Sequence, residues 1–118
     1  LLLELMFRKM SSSLSTCTVI DMAELCQAFQ QGVNAIKLYG GATIGSRTML
    51  DAMIPAAAAL VATKSIQEAA RAAKIGADET GRMKTASAGR SNYLSEDQLQ
   101  GTPDPGAVAV SIVLGALL

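Results

Sequence analysis

What most constrains this chain is a series of helix-start signals, each placed ahead of apolar residues that recur at helical spacing. Asp21 is followed three residues on by Glu24. That is the capping-box arrangement, in which one side chain caps a backbone N–H of the first turn and the other reaches back. Ile20 before the cap and Leu25 after it are placed for a hydrophobic staple. Ser65 and Glu68 repeat the pattern. Asp104-Pro105-Gly106 is a third start, because Asp suits the cap and proline at the first helical position gives up no needed donor. No segment alternates convincingly with the period of a strand. The expected fold is therefore all-α, an antiparallel helical bundle or barrel of about five main helices, in one domain over residues 1–118.

Leu1 to Leu14 fits a first helix, with Leu2, Leu5, Met6 and Met10 on one side and a serine-rich exit after it. The second begins at Met22, carries Leu25, Cys26, Phe29, Val33 and Ile36 on one face, and stops at Gly40 or Gly41. A third is expected from Arg47 to Ala62, capped by Ser46 and bent by Pro55. A fourth follows the Ser65 cap and runs to about Ala86. Its alanines permit tight helix contact, and Gly76 and Gly81 weaken it by roughly 1 kcal/mol each where unpacked. Ser87 to Pro103 is irregular and polar, with one short turn at Ser95-Glu96-Asp97. The last helix is apolar on nearly every face (Val108, Val110, Ile112, Val113, Leu114, Leu117), which predicts a place in the middle of a bundle.

Composition narrows the chemistry. Half the residues are apolar but only 3% are aromatic, so Ala, Leu, Met and Val fill the core. Ten basic residues balance ten acidic ones, and no basic patch points to nucleic acid. There is no histidine, which removes the commonest general base and the commonest metal ligand. Cys17 and Cys26 lack a metal-type spacing and read as reduced thiols of a cytoplasmic protein. The apolar end from Ala107 to Leu118 falls short of the roughly 20 residues that cross a bilayer, so no membrane association is expected. Both ends look like interior sequence, and a longer parent protein is expected.

Two glycine-containing loops feed helix amino termini, where unpaired N–H groups and the helix dipole favour an anion such as phosphate. One is Gly40 to Gly45; the other is Asp104 to Gly106. Arg90, after Gly89, is placed to pair with phosphate oxygens at two points. The soft side chain of Met49 suits a flat ring such as adenine. Each feature alone has a plainer meaning. Gly40-Gly41 is a helix stop, Asp104-Pro105-Gly106 a helix start, Arg90 a solvated side chain, and Met49 with Met53 a core pair. Asp51 serves the helix dipole, and Ala56 to Ala59 serves packing.

Together the segments are more specific. Thr48-Met49-Leu50-Asp51 with Ile54-Pro55-Ala56, then Gly89-Arg90-x-x-Tyr93-Leu94, then Asp104-Pro105-Gly106-Ala107 resembles the nucleotide-binding L domain of dihydroxyacetone kinases. The similarity is close from about Gly32 onward. It implies a domain from a barrel of about eight helices that binds ATP or ADP with magnesium at one end. A separate K domain would hold dihydroxyacetone through a histidine. By position, Gly40 and Gly41 would line the nucleotide loop, Thr48 and Met49 would approach the adenine, and Arg90 would reach the phosphates. Asp104, Pro105 and Gly106 would close the pocket from the other helix start.

Departures shape the expectation. Ser46 stands where the family has Asp, and Ser91-Asn92 stands where it has Ala-Ser. The aspartate cluster that holds magnesium in the family is missing, so the metal ligands are expected in a segment outside this chain. The reading that results is ATP-dependent phosphorylation of dihydroxyacetone or glyceraldehyde by the parent enzyme. The isolated chain is expected to bind nucleotide weakly and to lack kinase activity. Two alternatives are an ADP-holding subunit recharged by a phosphotransferase-system partner and a non-catalytic helical interaction domain. Apolar faces left uncovered would favour a homodimer.

Overall fold

The structure, a computed structural model, describes residues 2–15, 21–41, 44–83 and 101–117. Every regular element within them is a helix: α1 (Leu2–Leu14), α2 (Met22–Gly40), α3 (Leu50–Thr63), α4 (Ile66–Thr80) and α5 (Pro105–Ala116). The all-α expectation therefore holds.

Local chemistry sets most of the boundaries. The Glu24 N–H donates to the Asp21 carboxylate at 2.9 Å, and the Asp21 N–H donates to Glu24 at 3.3 Å, completing the capping box of α2. At the other end Gly41 takes a left-handed conformation, φ 71°, that L side chains rarely adopt. The partner of the expected Ile20–Leu25 staple lies outside the described residues, as does Cys17, whereas Cys26 is a free, buried thiol. The Glu68 N–H donates to the Ser65 hydroxyl at 3.3 Å and starts α4. Its box is only half formed, since the Ser65 N–H donates instead to the Thr63 hydroxyl at 3.2 Å.

Three expectations need correction. α3 begins at Leu50, not Arg47, and Met49 occupies its N-cap position without a side-chain cap bond. α4 ends at Thr80, short of Ala86: the Gly81 N–H turns back onto the Asp78 carbonyl at 3.1 Å. α5 is not in the middle of the bundle. Among its described residues only Ala107 is fully buried, and Ile112, Val113 and Leu117 are each more than 60% exposed. The expected turn at Ser95-Glu96-Asp97 lies outside the described residues.

The core has two parts, and α3 belongs to both. An alanine seam joins Ala52 and Ala56 of α3, Ala69, Ala73 and Ala77 of α4, and Ala107 of α5. Bulkier residues fill the other part: Met6 of α1, Val33 and Ile36 of α2, Leu50 and Met53 of α3. The small side chains of the seam let α4 approach α3 until Gly76 meets backbone. A Cβ at Gly76 would stand 2.0 Å from the Asp51 carbonyl oxygen. Pro55, inside α3, has no N–H to offer that carbonyl four residues earlier. The carbonyl that proline frees is the one against which α4 packs.

An apolar groove of about 500 Å³ runs between α1, α2, α3, α4 and α5, with Phe7, Met10, Met53, Ile66, Val110 and Leu114 among its walls, and it reaches Met49 and Gly106. Among the described residues, no helix is long and apolar enough to cross a membrane.

Candidate functional site

The turn before α3 is held by a carboxylate from inside the helix. Asp51, 3% exposed, accepts from the Gly45 N–H at 2.6 Å and from the Thr48 N–H at 2.9 Å. The Leu50 N–H donates to the Thr48 hydroxyl at 3.2 Å. This backward capping replaces the role expected of Ser46. The reason lies next door: Arg47 has φ 61°, a left-handed conformation from which an α-helix cannot continue. Such a conformation in a residue with a side chain is strained by about 1–3 kcal/mol and persists only where its surroundings hold it.

The Arg47 side chain runs inward. It is 1% exposed, its Nη2 donates to the Thr102 carbonyl, and its Nη1 lies 3.8 Å from Asp104 Oδ1. Nε and Nη1 have no hydrogen-bond acceptor among the described residues. Buried donors left in this state cost about 1–3 kcal/mol each. A fully desolvated guanidinium that is incompletely paired is poor economy for stability alone.

The start of α5 is fastened from the opposite side. The Gly101 N–H donates to the Gly81 carbonyl at 2.7 Å, and the Asp104 N–H donates to the Thr80 hydroxyl at 2.7 Å. Thr80 in turn donates to the Ala77 carbonyl at 2.5 Å. Asp104 caps α5 by accepting from the Ala107 N–H at 3.0 Å, with Pro105 in the first turn. A Cβ on Gly106 would stand 3.3 Å from Met49 Cβ, so the first turn of α5 lies directly against the start of α3.

The structure thus brings Thr48 and Met49 to one place with Asp104, Pro105 and Gly106. Gly40 and Gly41 sit at the exposed end of α2. Arg90 lies outside the described residues. The N–H groups of Gly45, Thr48, Leu50 and Ala107 are satisfied internally and form framework. Among the described residues, nothing lies within 4 Å of where a Cβ would stand on Gly41 or Gly45.

Sequence reasoning overlooked Arg47 and gave Asp51 only a dipole role. A signal for both existed. They are the only charges between positions 44 and 63, and a lone opposite pair in an apolar stretch must be either exposed or partnered.

Magnesium fits poorly here. Among the described residues no group of three His, Cys, Asp or Glu side chains could hold a metal ion. The buried carboxylates of Asp51 and Asp104 are already engaged by backbone N–H groups, and Asp104 also by Arg47.

Fold and site together define an all-helical domain whose two adjacent helix starts are joined by a buried ionic contact. The chain matches the DAK2 domain over residues 1–118 and belongs to that family. It is 44% identical over 96 residues to dihydroxyacetone kinase of Citrobacter freundii, covering 80% of this chain and 17% of that protein. It is 41% identical over 103 residues to L-erythrulose 1-kinase of Mycolicibacterium smegmatis, covering 82% and 18%. Triokinase/FMN cyclase of Rattus norvegicus is 39% identical over 106 residues, covering 83% and 18%. The crystal structure of the C. freundii kinase in its native form superposes with a TM-score of 0.76 and 31% identity, over 99% of this chain and 19% of that one. The chain therefore spans less than a fifth of the length of these relatives.

Proposed function

We propose that this chain supplies part of the nucleotide-binding domain of an ATP-dependent kinase that phosphorylates dihydroxyacetone or glyceraldehyde. The observation that carries the reading is the junction of Met49 and Gly106, where the starts of α3 and α5 meet beside the glycine-containing turn at Gly45. The relatives support the reaction class, being kinases by name. They favour the single-chain enzyme over a separate ADP-holding subunit, since the matched segment is 17% to 18% of a much longer chain.

Phosphoryl transfer asks a protein for position and charge more than for covalent chemistry, so a chain without histidine suits it. Here Asp51 and Arg47 hold the loop, Met49 offers an apolar surface to the base, and Arg90 pairs with phosphate. Magnesium, when bound, neutralises phosphate charge; its ligands belong outside the described residues. The substrate hydroxyl would be presented by a separate K domain, in the cytoplasm, and the isolated chain would not turn over.

The test is calorimetric titration of the folded chain with ADP and magnesium. Saturable binding is expected, and Arg90→Ala should weaken it by about 1.5–3 kcal/mol, the worth of a charge-assisted hydrogen bond, with little change in melting point. A folded chain that binds no ADP overturns the proposal.

A further inference from the structure

We infer that Arg47 is a positioning residue that locks the start of α3 to the start of α5, so that the two walls of the nucleotide site move as one body. The inference rests on the nucleotide reading above and adds to it a residue that touches no ligand.

Three observations converge. First, the direction of the side chain is imposed. Asp51 grips the backbone on both sides of position 47, at Gly45 and at Thr48, and the left-handed backbone between them sends the guanidinium inward. Second, what it reaches belongs to the other wall: the Thr102 carbonyl and the Asp104 carboxylate. Asp104 faces Arg47 with Oδ1 while Oδ2 caps Ala107, so one carboxylate both receives the lock and sets the first turn of α5. Third, the position is poorly suited to stability alone. An apolar side chain would fill the space without burying Nε and Nη1, which have no hydrogen-bond acceptor among the described residues. A planar fork that reaches two points at once is what arginine provides and lysine does not.

The wall at 101–104 is fastened on its other side to α4, through Gly81 and Thr80. Arg47 is thus a polar tie that crosses from this segment to the α3 loop, beside the apolar contact of Met49 with Gly106.

Arg47→Met keeps the length and removes the fork; Arg47→Lys keeps the charge and one donor point. Leu60→Ala, in the core near the far end of α3 and eleven residues along the helix from Met49, serves as a destabilised control away from the site. ADP affinity is measured by calorimetry at a temperature where circular dichroism shows each variant folded. The lock predicts that Arg47→Met raises the dissociation constant by about tenfold or more and that Arg47→Lys recovers part of the loss. Leu60→Ala should lower the melting temperature with an unchanged dissociation constant. Wild-type affinity in Arg47→Met, or an equal loss in Leu60→Ala, overturns the inference. If Arg47→Met does not fold, Arg47→Lys carries the same comparison. If the wild-type chain binds no ADP, the nucleotide reading falls and the lock is judged by amide hydrogen exchange. The amides of Gly45 and Thr48 should then lose protection in the variant together with those of Asp104 and Ala107, while α1 and α2 keep theirs. Loss on one side alone, or on neither, overturns it.

Discussion

Gly76 of α4 and Gly32 of α2 each sit where another helix passes, but they face different material. Around Gly76 an added Cβ would meet main chain: the Asp51 oxygen at 2.0 Å, the Asp51 carbonyl carbon at 2.9 Å and the Ala52 Cα at 3.2 Å. Around Gly32 it would meet mostly methionine, with Met6 Cγ at 2.7 Å, Met10 Cγ at 2.8 Å and the Met6 carbonyl oxygen at 3.1 Å. Methionine has several rotatable bonds and can give way, whereas a helix backbone moves only as a unit. One crossing is rigid because its partners are alanine and main chain. The other is adaptable because its partners are long and unbranched. The rigid crossing is also the one that carries Asp51, and through it the loop at Gly45 and Thr48.

The largest effect should come from Gly76→Ala. Alanine favours a helix over glycine by about 1 kcal/mol, but forcing α3 and α4 apart along an alanine seam should cost roughly 3 kcal/mol or more, at the upper end of overpacking. Urea unfolding would show it as a lower midpoint, and ADP affinity should fall as well, because the displaced residue is Asp51. Gly32→Ala comes next. The same propensity gain offsets the rearrangement of Met6 and Met10, and the net change should lie between about 0 and 2 kcal/mol of loss. Equal losses at the two glycines would break the contrast between them. The smallest effect belongs to Ile112→Gln on the outer face of α5, where the side chain is 64% exposed. Thermal unfolding should move by no more than about 0.5 kcal/mol. A larger loss would mean that this face is covered in solution.

Helix starts were the legible part of the sequence, because capping is settled within four residues. Asp21, Ser65 and Asp104 cap α2, α4 and α5 as their neighbours predict. The start of α3 was not legible in the same way. Its cap acts backward from Asp51, and the residue that blocks an earlier start, Arg47, buries its side chain against partners 55 and 57 positions away, at Thr102 and Asp104. The end of α4 was hidden for a similar reason. No proline or helix-stop pair marks Thr80 as a boundary in the sequence, but the Thr80 hydroxyl is claimed by the Asp104 N–H, 24 residues on. In α5 the apolar pattern correctly marked a helix with no polar face, yet a pattern says that a face favours burial, not what lies over it. The site divided along the same line. Thr48, Met49, Asp104, Pro105 and Gly106 come together as the loops implied, while the buried charges that join them could only be read from tertiary structure.

The contact between Arg47 and Asp104 has one more consequence, which concerns dissolved ions. Among the described residues, four other pairs decorate the helix surfaces: Arg8 with Glu4, Arg71 with Glu68, Lys74 with Asp78 and Arg82 with Glu79. All are well exposed, whereas the Arg47 and Asp104 side chains are 1% and 10% exposed. At 1 M salt the screening length shrinks to about 3 Å, and mobile ions reach only what water reaches. Raising the electrolyte therefore mutes the peripheral charges and spares the interior one, so ionic strength separates the molecule's electrostatics by depth.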